Sequence, residues 1–492
     1  MNDPACSKLR LLGCLLAVIA VGRIMPLVVP LFSADDYIHM SEGRWTFSLQ
    51  AISQGRPVQA FLGEVANLLG ITGRNAGVLG WVALSLSLAY AAIVTCRAWG
   101  LSAHSVQAAI VGAIVVGHPF QTEIYTFNAV TWMVALAFYL AFAGLDKLIE
   151  SPARWWAGVS LLAAAIGIYQ VVLNHIAIVV LGRAVLLTIE HSKPKDSGVV
   201  KLAISLAVSA IVYLLVAKAV AAFFGAPTID ERANLLGIDQ LPVRIKEIAQ
   251  TTFISISPSA SWSALQPPLV TASLFAVAGL SVWGLLKNAI QSADVKMFVI
   301  PAALVVISGF AVVGVAAVGQ VFWPVPRVLS AVAVWWALVT AVALKAAGGG
   351  GIRRTAVVFC AGVAIVGFSG VSNRIFQDQF RVNTWDRLMA QRIVQRLEAR
   401  QDFAQIKRIA VVGGSYTYPI PLATTIGDMN ISARLPGWSK VNMINQYTGY
   451  AFGGPTESDL AEAAEIGRER PTWPADEAVV VRGDVAFIFL EP

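Results

Sequence analysis

The sequence predicts a polytopic α-helical membrane protein of about eleven transmembrane helices, followed by a small C-terminal soluble α/β domain. Three observations lead there. Apolar residues make up 57% of the 492-residue chain and charged residues only 13%, about half the charged share of an ordinary soluble domain. The apolar residues fall in long blocks, such as Leu11–Pro30, Val199–Phe224 and Val328–Leu344, each long enough to cross roughly 30 Å of hydrocarbon as a helix. From Asn373 onward the composition changes, with acidic and basic residues nearly balanced as in a soluble domain.

The blocks place spans near 9–31, 76–96, 105–118, 128–147, 155–170, 172–189, 199–223, 269–287, 297–319, 327–346 and 354–372. The first has Lys8 and Arg10 ahead of it, like a secretion signal. Its apolar run continues to Pro30 without a small-residue cleavage pattern, so it reads as an uncleaved span. Basic residues set the orientation. With the N-terminus inside, Arg97, Lys147, Arg154, Lys193, Lys195, Lys287, Lys296, Lys345, Arg353 and Arg354 all fall in inner breaks. The outer breaks are then 32–75, 118–127, a tight turn at Tyr169–Gln170, 225–268 and 320–326, and the tail is outside as well. This requires Pro57–Thr72 not to cross. It holds Gln59, Glu64 and Asn67 and too few apolar residues, and reads as an amphipathic surface helix.

The division is therefore 1–372, a membrane core with a large first outer loop (32–75), and 373–492, a soluble domain. In the latter, Thr384–Arg400 has Leu388, Ile393, Val394 and Leu397 at helical spacing. Arg408–Val412 is a short β-like run, and Ala478–Val481 with Val485–Leu490 reads as a terminal hairpin around Arg482–Gly483.

The net charge of +7 follows from the positive-inside bias. No basic run interleaved with aromatics points to nucleic acid. Cys6, Cys14, Cys96 and Cys360 show no metal-ligand spacing, and no disulfide is expected. Gly413-Gly414-Ser415 lacks the pattern of a nucleotide loop.

Residues able to carry chemistry collect in the outer breaks. Asp35 and Asp36 directly follow the first span. Adjacent carboxylates repel, which raises the pKa of one, and a carboxylate at the membrane edge can deprotonate a hydroxyl. The plainer alternative is an acid capping the next helix. Glu42 and Arg44 follow, then Arg56 in Gln54-Gly55-Arg56-Pro57. Outer arginines run against the positive-inside trend and suit a phosphate, which a guanidinium holds in bidentate fashion, or a lipid headgroup. His118 and Glu123 lie in His118-Pro119-Phe120-Gln121-Thr122-Glu123. Tyr169, Gln170, Asn174 and His175 sit at the outer edge of two apolar blocks, where polar groups need partners or a wet cavity. Arg327, in Trp323-Pro324-Val325-Pro326-Arg327, is a further phosphate candidate.

Ala34-Asp35-Asp36-Tyr37, Gln54-Gly55-Arg56-Pro57, Pro119-Phe120 with Glu123, Tyr169-Gln170 with Asn174, Pro326-Arg327 and Asn383-Thr384-Trp385-Asp386-Arg387 occur in that order along most of the chain. In this ordered set the chain resembles the GtrII-type glucosyltransferases of bacterial O-antigen modification, a branch of the GT-C membrane glycosyltransferases. His118 stands where Asn is more usual, and Tyr37 where Trp often does.

The resemblance implies a GT-C-like helical core in the bacterial inner membrane, with the N-terminus cytoplasmic and the C-terminus periplasmic. It also implies an enzyme moving a sugar, glucose first among the candidates, from a polyprenyl-phosphate carrier to O-antigen or another surface glycan. Mannose, arabinose and aminoarabinose are the other sugars considered. Asp36 or Asp35 would be the base, with inversion, and Arg327, Arg56 and Arg44 the phosphate ligands. Glu42, His118, Glu123, Tyr169, Gln170 and Asn174 would line the substrate, and the tail would cover the site. No cofactor is required, although a divalent metal at the acidic pair is compatible with the motif. The expected partners are the lipid-linked donor, the glycan acceptor and membrane lipids, with a flippase and a donor-synthesising transferase around the same reaction. The alternative is a lipid-linked sugar or polysaccharide transporter without chemistry; the internal repeats and paired broken helices of transporters are missing from the sequence.

Overall fold

The computed structural model describes residues 4–41, 48–73, 75–190, 198–226, 234–257, 266–348, 351–414 and 422–491. Its longer helices are α1 (Pro4–Arg23), α2 (Asp36–Ser41), α3 (Pro57–Leu68), α4 (Ala76–Ala98), α5 (Val106–Gly117), α6 (Asn128–Glu150), α7 (Trp155–Ile168) and α8 (Val172–Ile189). There follow α9 (Val199–Phe223), α10 (Leu241–Ile256), α11 (Pro268–Ser292), α12 (Lys296–Phe310), α13 (Val332–Ala346), α14 (Ile352–Glu398), α15 (Lys440–Thr448) and α16 (Glu457–Ile466).

Six helices, α4, α6, α8, α9, α11 and α14, are long and apolar enough to cross a membrane, and α5, α7, α12 and α13 are shorter apolar helices. The protein is a membrane protein. α13 lies at the centre of the bundle and is buried along nearly its whole length. α9, by contrast, exposes Ile204, Ile211, Leu214, Leu215 and Phe223, a surface suited to lipid and not to water. Small residues let neighbouring helices approach closely. A Cβ on Gly144 of α6 would lie 2.8 Å from the Gly158 carbonyl of α7.

Several helices stop short. α5 has 12 residues and α7 has 14, giving lengths of about 18 and 21 Å against the roughly 30 Å of a bilayer core. The chain leaves helical form at His118 and again at Tyr169. The block expected as one span over 297–319 breaks at 311–313, between α12 and the short helix Gly314–Val318, and the one expected from Arg327 becomes helical only at Val332. Such irregular backbone is tolerated at membrane depth only where protein surrounds it, and the candidate residues lie at these breaks. α3 is present as a helix of 12 residues, too short to cross alone; it buries Pro57, Ala60, Gly63 and Ala66 and exposes Phe61.

The breaks that the sequence assigns to the inner side contact one another. Arg97 pairs with Asp146 and Glu150, and Lys345 pairs with Glu190.

The expected hairpin is present. Strands β1 (Arg408–Val412), β2 (Val479–Arg482) and β3 (Val485–Phe489) form a sheet in the order β1-β3-β2, with β3 parallel to β1 and antiparallel to β2. The sequence reads a span over 354–372 and a separate helix over 384–400; the two are one continuous helix of 47 residues, α14. Its C-terminal half buries Ile375, Val382, Asp386, Met389, Ala390, Ile393 and Leu397 on one face. That face packs into the core of the tail, which Tyr37 and Met40 of the first loop complete.

Candidate active site

The acid pair begins where α14 grips the first loop. Asn383 accepts the Phe32 backbone N–H and donates to the Phe32 carbonyl, both at 2.8 Å, and Gln379 donates to the same carbonyl at 2.7 Å. This fixes the chain three residues before Asp35. Asp36 is buried, at 1% exposure. Its Oδ2 accepts from the Ser33 N–H (2.7 Å) and Ser33 Oγ (3.0 Å), and its Oδ1 from the Ala129 N–H (2.9 Å). It therefore caps α6, a helix distant in sequence, in place of the next one. Burial pushes its carboxyl up to about 7, against the opposing pull of these donors. Asp35 is exposed, and the indole Nε1 of Trp438, on the tail, donates to its Oδ1 at 3.3 Å. Tyr37 meets Tyr447 of the tail, hydroxyl to hydroxyl, at 2.7 Å.

Arg327 and Glu123 form the second part. Because α13 starts only at Val332, the Arg327 backbone N–H has no helical acceptor, and Glu123 Oε2 takes it. Glu123 Oε1 accepts from Arg327 Nη1 at 2.6 Å. The Nη2 on the other side of the guanidinium donates at 2.7 Å to Asp428 of the tail, which also accepts from Trp323 Nε1 at 3.2 Å. Phe127 lies against the guanidinium, 4.6 Å from ring centroid to Cζ. Glu123 is fully buried; burial raises its pKa and Arg327 opposes the rise. A buried carboxylate of this kind is stable only with such a partner.

The third part joins Arg56 to the α7–α8 break. Arg56 Nε donates to Gln170 Oε1 at 3.2 Å, and Gln170 Nε2 donates to the carbonyls of Gln54 and Gly55, both at 3.2 Å. Tyr213 Oη also donates to the Gly55 carbonyl, at 2.8 Å. Gly55 has φ +71°, and a Cβ there would meet the Tyr213 hydroxyl at 3.0 Å; the turn needs glycine on both counts. Tyr169 donates to the Arg327 carbonyl at 3.1 Å, linking the second part to the third.

Two candidates serve the scaffold. His118 Nδ1 accepts the Phe120 N–H at 3.3 Å, and its ring is wedged edge-on between Phe120 and Phe368. Asn174 donates to the Val312 carbonyl (3.1 Å) and accepts from the Val315 N–H (2.9 Å), closing the break after α12. Glu42 and Arg44 lie outside the described residues.

Asp428 and Trp438 carried no signal in the sequence, being ordinary residues of tail loops. Arg23 did carry one, a basic residue inside an apolar block. It is 1% exposed and holds the end of α5 by donating to the Val116 and His118 carbonyls and to Thr122 Oγ1. Among the described residues, no group of three His, Cys, Asp or Glu side chains is placed to hold a metal ion.

The model of one protein family, Glucosyl transferase GtrII, matches residues 24–339, nearly two thirds of the chain and every candidate side chain named above outside the tail. The chain belongs to the GtrII glucosyl transferase family. It is a glycosyltransferase, with a sugar donor and a glycan acceptor. No curated protein and no solved structure matches it. The match ends within α13. α14 and the tail, which supply Asn383, Asp428 and Trp438 to the site of this GtrII family member, lie beyond it.

Proposed function

We propose that the enzyme moves glucose from a polyprenyl-phosphate carrier to an O-antigen or other surface glycan, on the periplasmic side of the bacterial inner membrane. The architecture would be GT-C-like, with eleven spans, a cytoplasmic N-terminus and a periplasmic tail. One observation carries this reading. Residues from separate breaks of the bundle are joined: Asp36 binds the start of α6 at Ala129, Glu123 holds Arg327, and Tyr169 ties the Arg327 carbonyl to the break where Gln170 holds Arg56, while the tail reaches Asp35 through Trp438 and Arg327 through Asp428.

The chemistry is a single displacement. The acceptor oxygen forms a bond to the anomeric carbon as the bond from that carbon to the carrier phosphate oxygen breaks, with inversion. The acceptor proton passes to a carboxylate, and the phosphate leaves with the electron pair. Asp35 is the better base of the pair because it is exposed, while both oxygens of Asp36 are taken up by donors. Asp36 then acts as a positioning residue for its neighbour. Arg327 and Arg56 are the phosphate ligands, with Arg44 a third candidate. A guanidinium stabilises the leaving phosphate without protonating it. Tyr169, Gln170 and Glu123 hold the arginines, and no cofactor takes part in this scheme.

The test replaces Asp35 and Asp36 separately with Asn and measures glucose transfer from polyprenyl-phosphate glucose by the membrane-inserted enzyme. Asp35→Asn should lower kcat by at least about a hundredfold, the lower end of what a positioned base contributes. Wild-type rates in both variants would refute the assignment.

A further inference from the structure

Arg327 has one positive charge and two carboxylate partners. With Glu123 and Asp428 both ionised the cluster is net negative, and an anionic phosphate approaching it would be repelled. A phosphate ligand at Arg327 therefore requires one carboxylate to give way. Glu123 is poorly suited to leave: it is fully buried and engages both the guanidinium and the backbone N–H of Arg327. Asp428 is more exposed, at 25% for its side chain against 0% for Glu123. It makes a single contact to Arg327 and has a second donor, Trp323 Nε1, on an indole that itself reaches the surface.

We propose that Asp428 is the exchangeable counter-ion of Arg327, displaced from Nη2 by the phosphate of the lipid-linked donor, so that donor binding loosens the tail from the 323–327 loop. This inference rests on the phosphate role given to Arg327 above. A phosphate oxygen accepts from Nη2 in the same geometry as a carboxylate oxygen. Phe127 and Glu123 hold the guanidinium in place during the exchange. The loop and the tail are otherwise joined here by the turn Ile426–Met429, where a Cβ on Gly427 would lie 2.8 Å from Val325 Cγ1. Loss of the ion pair therefore acts at a tightly fitted contact. Before the donor arrives, Asp428 occupies Nη2 and keeps the tail closed on the loop.

The experiment titrates polyprenyl-phosphate glucose against the full-length enzyme in nanodiscs. Asp428→Asn should lower the donor KM roughly three- to tenfold, the effect of removing one competing charge at a part-exposed site, and Asp428→Glu should restore it. Trp323→Phe keeps every charge but removes the donor that Asp428 retains when it leaves Arg327, and should raise the donor KM. In the wild type, a polyprenyl monophosphate should raise hydrogen exchange over residues 426–430, while inorganic phosphate should do so only weakly. A donor KM that is unchanged or raised in Asp428→Asn would overturn the exchange, as would release by inorganic phosphate but not by the lipid. If Arg327→Ala leaves donor dependence unchanged, the phosphate role itself fails. If Arg327→Ala raises the donor KM while Asp428→Asn does not lower it, only the exchange fails.

Discussion

Asp36 Oδ1 accepts the backbone N–H of Ala129 at 2.9 Å, joining residues 93 positions apart. The bond ties the segment after the first helix to the start of α6. It makes the position of Asp35 a consequence of how two distant helices pack. The same residue is held from the other side by Ser33, and Ser33 follows the Phe32 that α14 grips. The candidate base therefore rests on three separate parts of the fold.

This burial sets a pH dependence. The carboxyl of Asp36 is pushed up to about 7, so the folded protein binds its proton more tightly than the unfolded chain, where an aspartate titrates near 3.9. Its contribution to stability is complete below about pH 4 and is lost as pH rises through about 7. Asp36→Asn has no such proton to lose. Melting in detergent across this range should show the wild type losing stability with rising pH more steeply than the variant. Parallel curves would contradict the burial argument.

Glu123→Ala leaves the Arg327 guanidinium part-buried with only Asp428 opposite it, and frees the Arg327 N–H. Breaking one partner of a buried pair costs about 3 kcal/mol or more, here reduced by the 19% exposure of the Arg327 side chain. The variant should unfold at clearly lower temperature or denaturant. Donor KM should change with it, because the guanidinium is no longer held. A fully stable Glu123→Ala would mean that water replaces the carboxylate.

Asn174→Leu preserves volume but leaves the Val312 carbonyl and the Val315 N–H without their partner at the break after α12. Each unsatisfied buried group costs about 1–3 kcal/mol. The loss should appear as lower thermal stability with little change in either substrate's KM, since Asn174 supports the scaffold here. A selective rise in substrate KM at unchanged stability would instead return Asn174 to the substrate pocket.

The positions of the apolar helices were legible in the sequence because they depend on composition over some 20 consecutive residues. The terminal hairpin was legible for a similar reason, through β-rich runs flanking Arg482–Gly483. Boundaries fared less well where helices end inside the protein. Arg327 lies in an apolar block that looks helical, but its backbone is irregular and its N–H is used by Glu123. The separation of 354–372 from 384–400 followed a change in polarity near Asn373, which marks a change of surroundings and not of backbone; α14 passes through it unbroken.

Composition along the chain is enough to establish a membrane protein with a polar tail, and to place Asp35, Asp36, Arg56, Glu123, Gln170 and Arg327 between apolar blocks. Those are local properties, fixed by hydrophobicity and helix length. Their partners emerge with the packed fold: Ala129 for Asp36, Gln170 for Arg56, and Glu123 with Asp428 for Arg327. It also separated His118 and Asn174, bound into packing and backbone repair, from the residues that face one another. Hydrogen bonds and ion pairs between residues 93 to 204 positions apart are selected by how helices pack, and spacing along the chain has no record of that.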